Sequence, residues 1–332
     1  TGSRWRRRPR TPGVSFAPVR PALLALAMLM SAVCGCGGSS GGSGPTSLSL
    51  ALDFTPNAAH APIYAAVRTG ADRRHGIKLR ILGPGTGTPD SLKLVTSGSA
   101  DVGVLDIHDL GLAAERGAHI VAIGALVQRP LAAVIARADV KRPRDLAGRT
   151  VGVTGLPSDV AVLNAVVSGD GGNFSAVKQE TIGFSAVAQM IAGKVDAVTA
   201  FWNAEGVVLH TRGVKTSDFR VDRYGAPPYP EVVLFAKRST LQKRRPQLRA
   251  LLAALADGVR SVHADPQAAI KQIADVSGAD QPLVKAQLDA VDPLFDPPMK
   301  FNRAVLARWA VWDARFGILP RRPNVKTLFV AP

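Results

Sequence analysis

Cysteine is almost missing from this 332-residue chain: Cys34 and Cys36 are the only two. Anything that folds beyond residue 36 therefore has no disulfide framework and no thiolate-ligated metal site. Aromatic residues are also few, at 5% with three tyrosines and four tryptophans, so each ring near a site carries weight. Long apolar runs are absent. The one candidate, Pro21 to Val33, is too short to cross a bilayer as a permanent helix. Catalytic signatures are lacking as well. There is no phosphate loop and no paired nucleophile and base, and Gly83-Pro-Gly85-Thr-Gly87 lacks dinucleotide-binding spacing. No cofactor is expected. The six histidines are scattered without ligand spacing, which makes a metal site from His60, Asp106, His108 and Glu205 the weaker reading.

Acidic residues are outnumbered, giving a net charge of +16. The excess is uneven. Arg4, Arg6, Arg7, Arg8, Arg10 and Arg20 all fall in the first 35 residues, which hold no acid. Further on, no basic cluster is interleaved with aromatics, and no zinc-finger spacing occurs, so nucleic acid is not the expected partner. Lys243-Arg244-Arg245 reads as the solvated start of a helix.

The basic stretch followed by the apolar run reads as a signal peptide over residues 1–35. Cys36, preceded by the small Gly35, fits a lipobox better than Cys34, preceded by Val33. An ordinary signal peptide with two incidental cysteines is the alternative. Residues 36–45 then supply the lipidated cysteine and a flexible Gly/Ser linker. The expected location is extracytoplasmic, held to the outer face of the cell membrane by a lipid.

From residue 46 strand and helix patterns alternate, the grammar of a parallel sheet covered by helices. The pattern predicts strands at 47–52, 77–82 and 101–105, then a restart at 150–154, 177–182 and 195–201, and a helical carboxyl third. Gly98-x-x-Asp101 and Gly193-x-x-Asp196 repeat one unit, a glycine ending a helix and a short buried strand after it. Two similar α/β lobes follow. The apolar runs Ala132–Ala136 and Val232–Ala236 fit strands at a hinge. Lobe one is then expected over 46–134 and 234–332, and lobe two over 135–233. Ligands of such sheets bind beyond the carboxyl ends of strands, which places the site in a cleft shared by the lobes.

Three clusters fall at those ends: Asp53 to Tyr64, Phe201 to Gly206, and Gly225 to Glu231. Read from residue chemistry alone, the first also fits an Asn57-capped helix with a core Tyr64, and the second a buried tryptophan. The segments LDFTPNAAHAPIYAA, FWNAEGV and YGAPPYPE, with the more generic LVQRPL and DLAGRTVGV, resemble the thiamine-pyrimidine precursor-binding proteins of ABC importers. The resemblance spans about residues 48–320. It implies a two-lobed type II periplasmic-binding fold that grips an aminopyrimidine between rings and edges it with carboxylates and amides. Position by position it assigns Phe54 and Trp202 to the aromatic wall and Asp53 and Glu205 to polar contacts. It also places Asn57, His60, Tyr64, Asn203 and Tyr229 in the cleft. Gly155, Ser158 and Asp159 open a helix whose free amides meet a ligand oxygen. Two departures stand out. Phe54 and Asp106 replace a tryptophan and a tyrosine of the family, and Asp106 reads equally as a helix cap.

The resemblance implies a monomeric binding protein, not an enzyme, with a small aminopyrimidine-like ligand and ABC permease subunits as partners. Related proteins bind alkanesulfonates, taurine, nitrate or riboflavin, but acids at Asp53, Asp106 and Glu205 disfavour a buried anion. A eukaryotic relative synthesises the pyrimidine with a cysteine-rich run near the place of Ala226–Glu231. This chain has no cysteine there.

Overall fold

The computed structural model describes residues 44–83 and 91–332, together with residue 2. The expectations for the leader and for Cys36 fall outside the described residues. Ten strands form among the described residues: β1 (Thr46–Ala51), β2 (Ile77–Leu82), β3 (Val102–Asp106), β4 (Ile120–Val127), β5 (Ala132–Arg137), β6 (Thr150–Val153), β7 (Lys178–Thr181), β8 (Ala197–Phe201), β9 (Thr216–Arg220) and β10 (Val232–Lys237). They make two five-stranded sheets, ordered β2-β1-β3-β10-β4 and β7-β6-β8-β5-β9. In each, three parallel strands are followed by two in antiparallel pairing. The chain is thus α/β with two lobes, as expected. Strands β4, β5 and β10 are almost wholly buried, which explains their unbroken apolar runs: helices cover both faces.

The repeated glycine–aspartate unit has a physical basis. Gly98 and Gly193 take φ of 88° and 65°, which an L side chain resists. Each aspartate then reaches back to the neighbouring parallel strand of its own sheet. Asp101 accepts from the Ser49 amide at 2.8 Å, and Asp196 from the Thr150 amide at 2.9 Å. Each also pairs with an arginine. Arg244 holds Asp101 at 2.5 Å and Arg149 holds Asp196 at 3.2 Å. Arg244 of the basic run is therefore a staple within lobe one, where a merely solvated side chain was expected.

The chain leaves the first sheet after β4 and enters the second at β5, then returns through residues 221–231 into β10. The limits expected at 134/135 and 233/234 fall inside β5 and β10, because each run pairs along its whole length within one sheet. Glu231 joins the two crossings. Its Oε2 accepts from the amides of Leu131 (2.5 Å) and Ala132 (3.0 Å). The long helix Arg245–Ala264 crosses the helix Ala61–Arg68 at Gly258, where a Cβ would lie 2.0 Å from the Pro62 carbonyl oxygen. Only glycine lets these backbones approach so closely.

Candidate functional site

Strands β1 and β3 of lobe one and β6, β7 and β8 of lobe two end around one cavity of about 860 Å3. After β1 the chain turns through Asp53 and Phe54 into a short helical turn, Ala58–His60. Asn57 caps that turn by accepting from the Ala59 amide at 2.9 Å. The Asn57 amide donates to His60 Nδ1 at 3.2 Å, so Nε2 bears the hydrogen that meets Asp53 Oδ1 at 2.8 Å. Asp106 ends β3 and caps the helix Ile107–Glu115, accepting from His108 N at 2.6 Å and Asp109 N at 3.3 Å. It lines the cavity as well. Asp106 is thus a helix cap that also faces the cavity.

In lobe two, Thr154 leads into the helix Pro157–Gly169. Asp159 accepts from the Thr154 amide at 2.7 Å and its hydroxyl at 2.5 Å. A carboxylate thus sits in the first turn of this helix, near its positive end. Beyond β8 the backbone makes a π-helical turn, Trp202–Gly206, a feature common at functional sites. It brings Asn203 and Glu205 to the cavity. Glu205 accepts from the Phe201 amide at 3.1 Å. Asn203 is 2% exposed, and its Oδ1 has no hydrogen-bond partner among the described residues. Burial raises the pKa of Glu205 and of Asp159, against the hydrogen bonds that hold their charged forms.

Among the described residues, the cavity collects Asp53, Asp106, Asp109, Asp159 and Glu205 against a single arginine, Arg116. Rings lie at its mouth. Phe54 of lobe one and Phe184 of lobe two meet with centroids 6.2 Å apart, and Phe184 is 62% exposed. Phe201 lines the wall. Asp53, Phe54, Asn57, His60, Asp106, Ser158, Asp159, Asn203 and Glu205 are brought together here.

Four expected residues do not line this cavity. Trp202 is buried beside the crossing, its indole N–H donating to the Pro130 carbonyl at 3.1 Å and Arg220 stacked 3.6 Å above its ring. The π-helical turn begins at Trp202 and carries its ring toward Pro130, while Asn203 and Glu205 of the same turn reach the cavity. Tyr229 is fully buried against His108, with ring centroids 4.8 Å apart. Tyr64 packs at the edge of the lobe-one core. Gly155 is exposed and makes a turn at φ 98°. The chief omissions from the sequence reading are Phe184, Asp109 and Thr154. Phe184 follows β7 with no motif around it, although Thr154 was visible as the strand-end residue before Gly155.

The four residues weighed as a metal set do not come together as one cluster either. Asp106 and His108 share a cluster with Glu231, whereas His60 is paired with Asp53 and Glu205 belongs to lobe two.

Comparison with known proteins agrees with this geometry. The family described as "NMT1/THI5 like" matches residues 57–269. The formylaminopyrimidine-binding protein of Halalkalibacterium halodurans is 30% identical over 250 residues, 74% of this chain and 76% of that protein. A 4-amino-5-hydroxymethyl-2-methylpyrimidine phosphate synthase of Uromyces fabae is 26% identical over 259 residues, covering 73% of this chain and 74% of the enzyme. In structure, the periplasmic aliphatic sulphonate binding protein SsuA of Escherichia coli superimposes with a TM-score of 0.70 at 17% identity, over 87% of this chain and 93% of its own. That likeness is one of fold, the two-lobed architecture of periplasmic binding proteins. With the match extending over most of the two lobes, the chain belongs to the NMT1/THI5-like family and is a solute-binding protein in type.

Proposed function

We propose that the protein captures a thiamine pyrimidine precursor, of the hydroxymethyl- or formylaminopyrimidine type, outside the cytoplasm and delivers it to an ABC importer. The observation that carries this reading is the excess of acceptors lining the cavity. Among the described residues, five half-buried carboxyl groups and the buried Oδ1 of Asn203, which has no hydrogen-bond partner, face one arginine. A buried acceptor without a donor is costly, and amino groups on a flat heteroaromatic supply donors while its faces meet Phe54, Phe184 and Phe201. A sulfonate or nitrate would be buried among carboxylates. The resemblance to the formylaminopyrimidine-binding protein supports the same ligand class. The absence of cysteine from Ala226 to Glu231 favours binding over synthesis.

Glu205→Gln keeps the shape of the side chain and removes its charge. For an aminopyrimidine it weakens binding about 10-fold or more, since a hydrogen bond to a charged acceptor contributes roughly 1.5–3 kcal/mol. Calorimetry with hydroxymethylpyrimidine, formylaminopyrimidine, taurine and nitrate on both proteins reads the outcome. Binding of taurine or nitrate alone, tightened by the substitution, would refute the pyrimidine assignment.

Delivery to a permease fits an anchored protein, and we place the lipid on Cys36. Cys36→Ser is expected to move the protein from membrane to soluble fractions and to end incorporation of labelled palmitate. Retention of both would put the anchor elsewhere.

A further inference from the structure

Behind the cavity wall lies a second polar cluster that shares only Asp106 with the cavity. One potential ligand atom each from Asp106, His108 and Glu231 lies within 4.8 Å of the others. The fold brings them together from neighbouring positions. Asp106 ends β3 opposite Val232 of β10, His108 sits in the first turn of the following helix, and the Ile107 amide donates to the Glu231 carbonyl at 2.9 Å.

Two buried atoms here lack a hydrogen-bond partner among the described residues: His108 Nε2 and Glu231 Oε1. His108 is 1% exposed and Glu231 fully buried. Leaving such atoms unpaired costs roughly 1–3 kcal/mol each. The other imidazole nitrogen is already committed. His108 Nδ1 lies 2.9 Å from Asp313 Oδ2, and the Trp309 indole N–H approaches it at 3.3 Å. A carboxylate that holds Nδ1 and leaves Nε2 free is the usual support for a metal-ligating histidine, because it fixes the ring and its tautomer. The Tyr229 hydroxyl, also buried without a partner, lies in the same cluster.

We propose that Asp106, His108 and Glu231 form a binding site for a divalent transition ion of the Zn2+ or Fe2+ class, with Asp313 as the positioning residue for His108. One imidazole with two carboxylates suits these borderline ions better than Ca2+ or Mg2+, which take oxygen ligands. The ion would also neutralise buried carboxylates that have no arginine or lysine partner among the described residues. Its position is consequential. Asp106 lines the ligand cavity, and Glu231 clasps Leu131 and Ala132 at the lobe crossing. An ion at this point ties the floor of the cavity to the hinge.

The test uses the full chain, stripped with a chelator and titrated with Zn2+ in competition with a chromophoric chelator. Wild type is expected to take up one equivalent at micromolar affinity or tighter. His108→Gln removes that equivalent, and the comparison cancels any contribution of Cys34 and Cys36, which both proteins retain. Asp106→Asn is the variant that guards against misfolding, since asparagine caps a helix as well as aspartate does. It should weaken Zn2+ at least 10-fold with an unchanged melting midpoint in the metal-free state. Zn2+ uptake equal in wild type and Asp106→Asn, or no uptake by wild type, overturns the site. Neither result bears on the pyrimidine assignment, which is read at Glu205 in the opposite lobe.

Discussion

Phe184 and Trp202 show how little a residue's type says about its part in a site. A tryptophan leaving a strand beside a glutamate looks like a binding platform, and a phenylalanine in a loop looks like noise. In the structure Trp202 is 7% exposed and hydrogen-bonded to Pro130, outside the cavity lining, whereas Phe184 is 62% exposed against Phe54 and lines it. Phe184→Ala is expected to weaken the ligand by roughly 5- to 150-fold, the range that ~1–3 kcal/mol of aromatic stacking gives, without loss of stability. Trp202→Phe deletes the indole N–H and orphans the Pro130 carbonyl, at a cost of about 1 kcal/mol or more. It should lower the melting midpoint and leave the dissociation constant within about 3-fold. Thermal melts beside calorimetry separate the two; a Trp202→Phe protein of full stability and lost affinity would return the indole to the site.

At the scale of elements, the helix Ala61–Arg68 sets the position of the turn bearing Asn57 and His60, and it is itself set by Gly258. An alanine there forces the helices apart, because the contact is backbone, the Pro62 oxygen at 2.0 Å and the Ala66 nitrogen at 3.2 Å. Overpacking of this kind costs typically ~1–3 kcal/mol, and the shift reaches the cavity through Asn57 and His60. Gly258→Ala should therefore lose both stability and affinity. Gly70→Ala is the control: φ is 69° and its Cβ meets nothing within 4 Å, so it strains the backbone by ~1–2 kcal/mol and leaves binding alone. Denaturant melts and calorimetry on the pair check this, and equal ligand affinity in both would disconnect the helix crossing from the site. Elements of this kind were the most legible part of the sequence. The strand at 77–82 forms at the expected residues and the carboxyl third is helical, and the repeated Gly-x-x-Asp unit marks both lobes, because burial and left-handed glycine leave local traces. Strands β4 and β9 left weaker ones. β4 is apolar throughout without alternation, and β9, TSDFR, is polar and only half-buried. The site was legible where it coincides with strand ends, at Asp53, Asp106, Asn203 and Glu205. It was illegible where residues distant in sequence meet, as Phe54 meets Phe184 and His108 meets Asp313 across 205 positions.

For the whole molecule, the acid-lined cavity couples ligand binding to proton exchange. Glu205 and Asp159 both have pKa values raised by burial. A carboxyl group whose folded pKa exceeds its unfolded value is stabilised in the protonated form. Stability of the free protein therefore rises as pH falls from above the folded value toward the unfolded one, near 4, and levels off below it. A donor-rich ligand acts in the opposite direction. Its amino groups favour the ionised carboxylate and pull the pKa of Glu205 back down. Capture must then release protons, and affinity falls with pH over the same interval in which the free protein gains stability. An anionic ligand reverses both signs, since it draws protons onto Glu205 and Asp159 and binds more tightly in acid. Calorimetric titrations at several pH values, in two buffers of different ionisation enthalpy, count those protons directly. Proton release that disappears in Glu205→Gln identifies Glu205 as the group that answers to the ligand. Proton uptake on binding would mean that the cavity neutralises its acids to admit an anion.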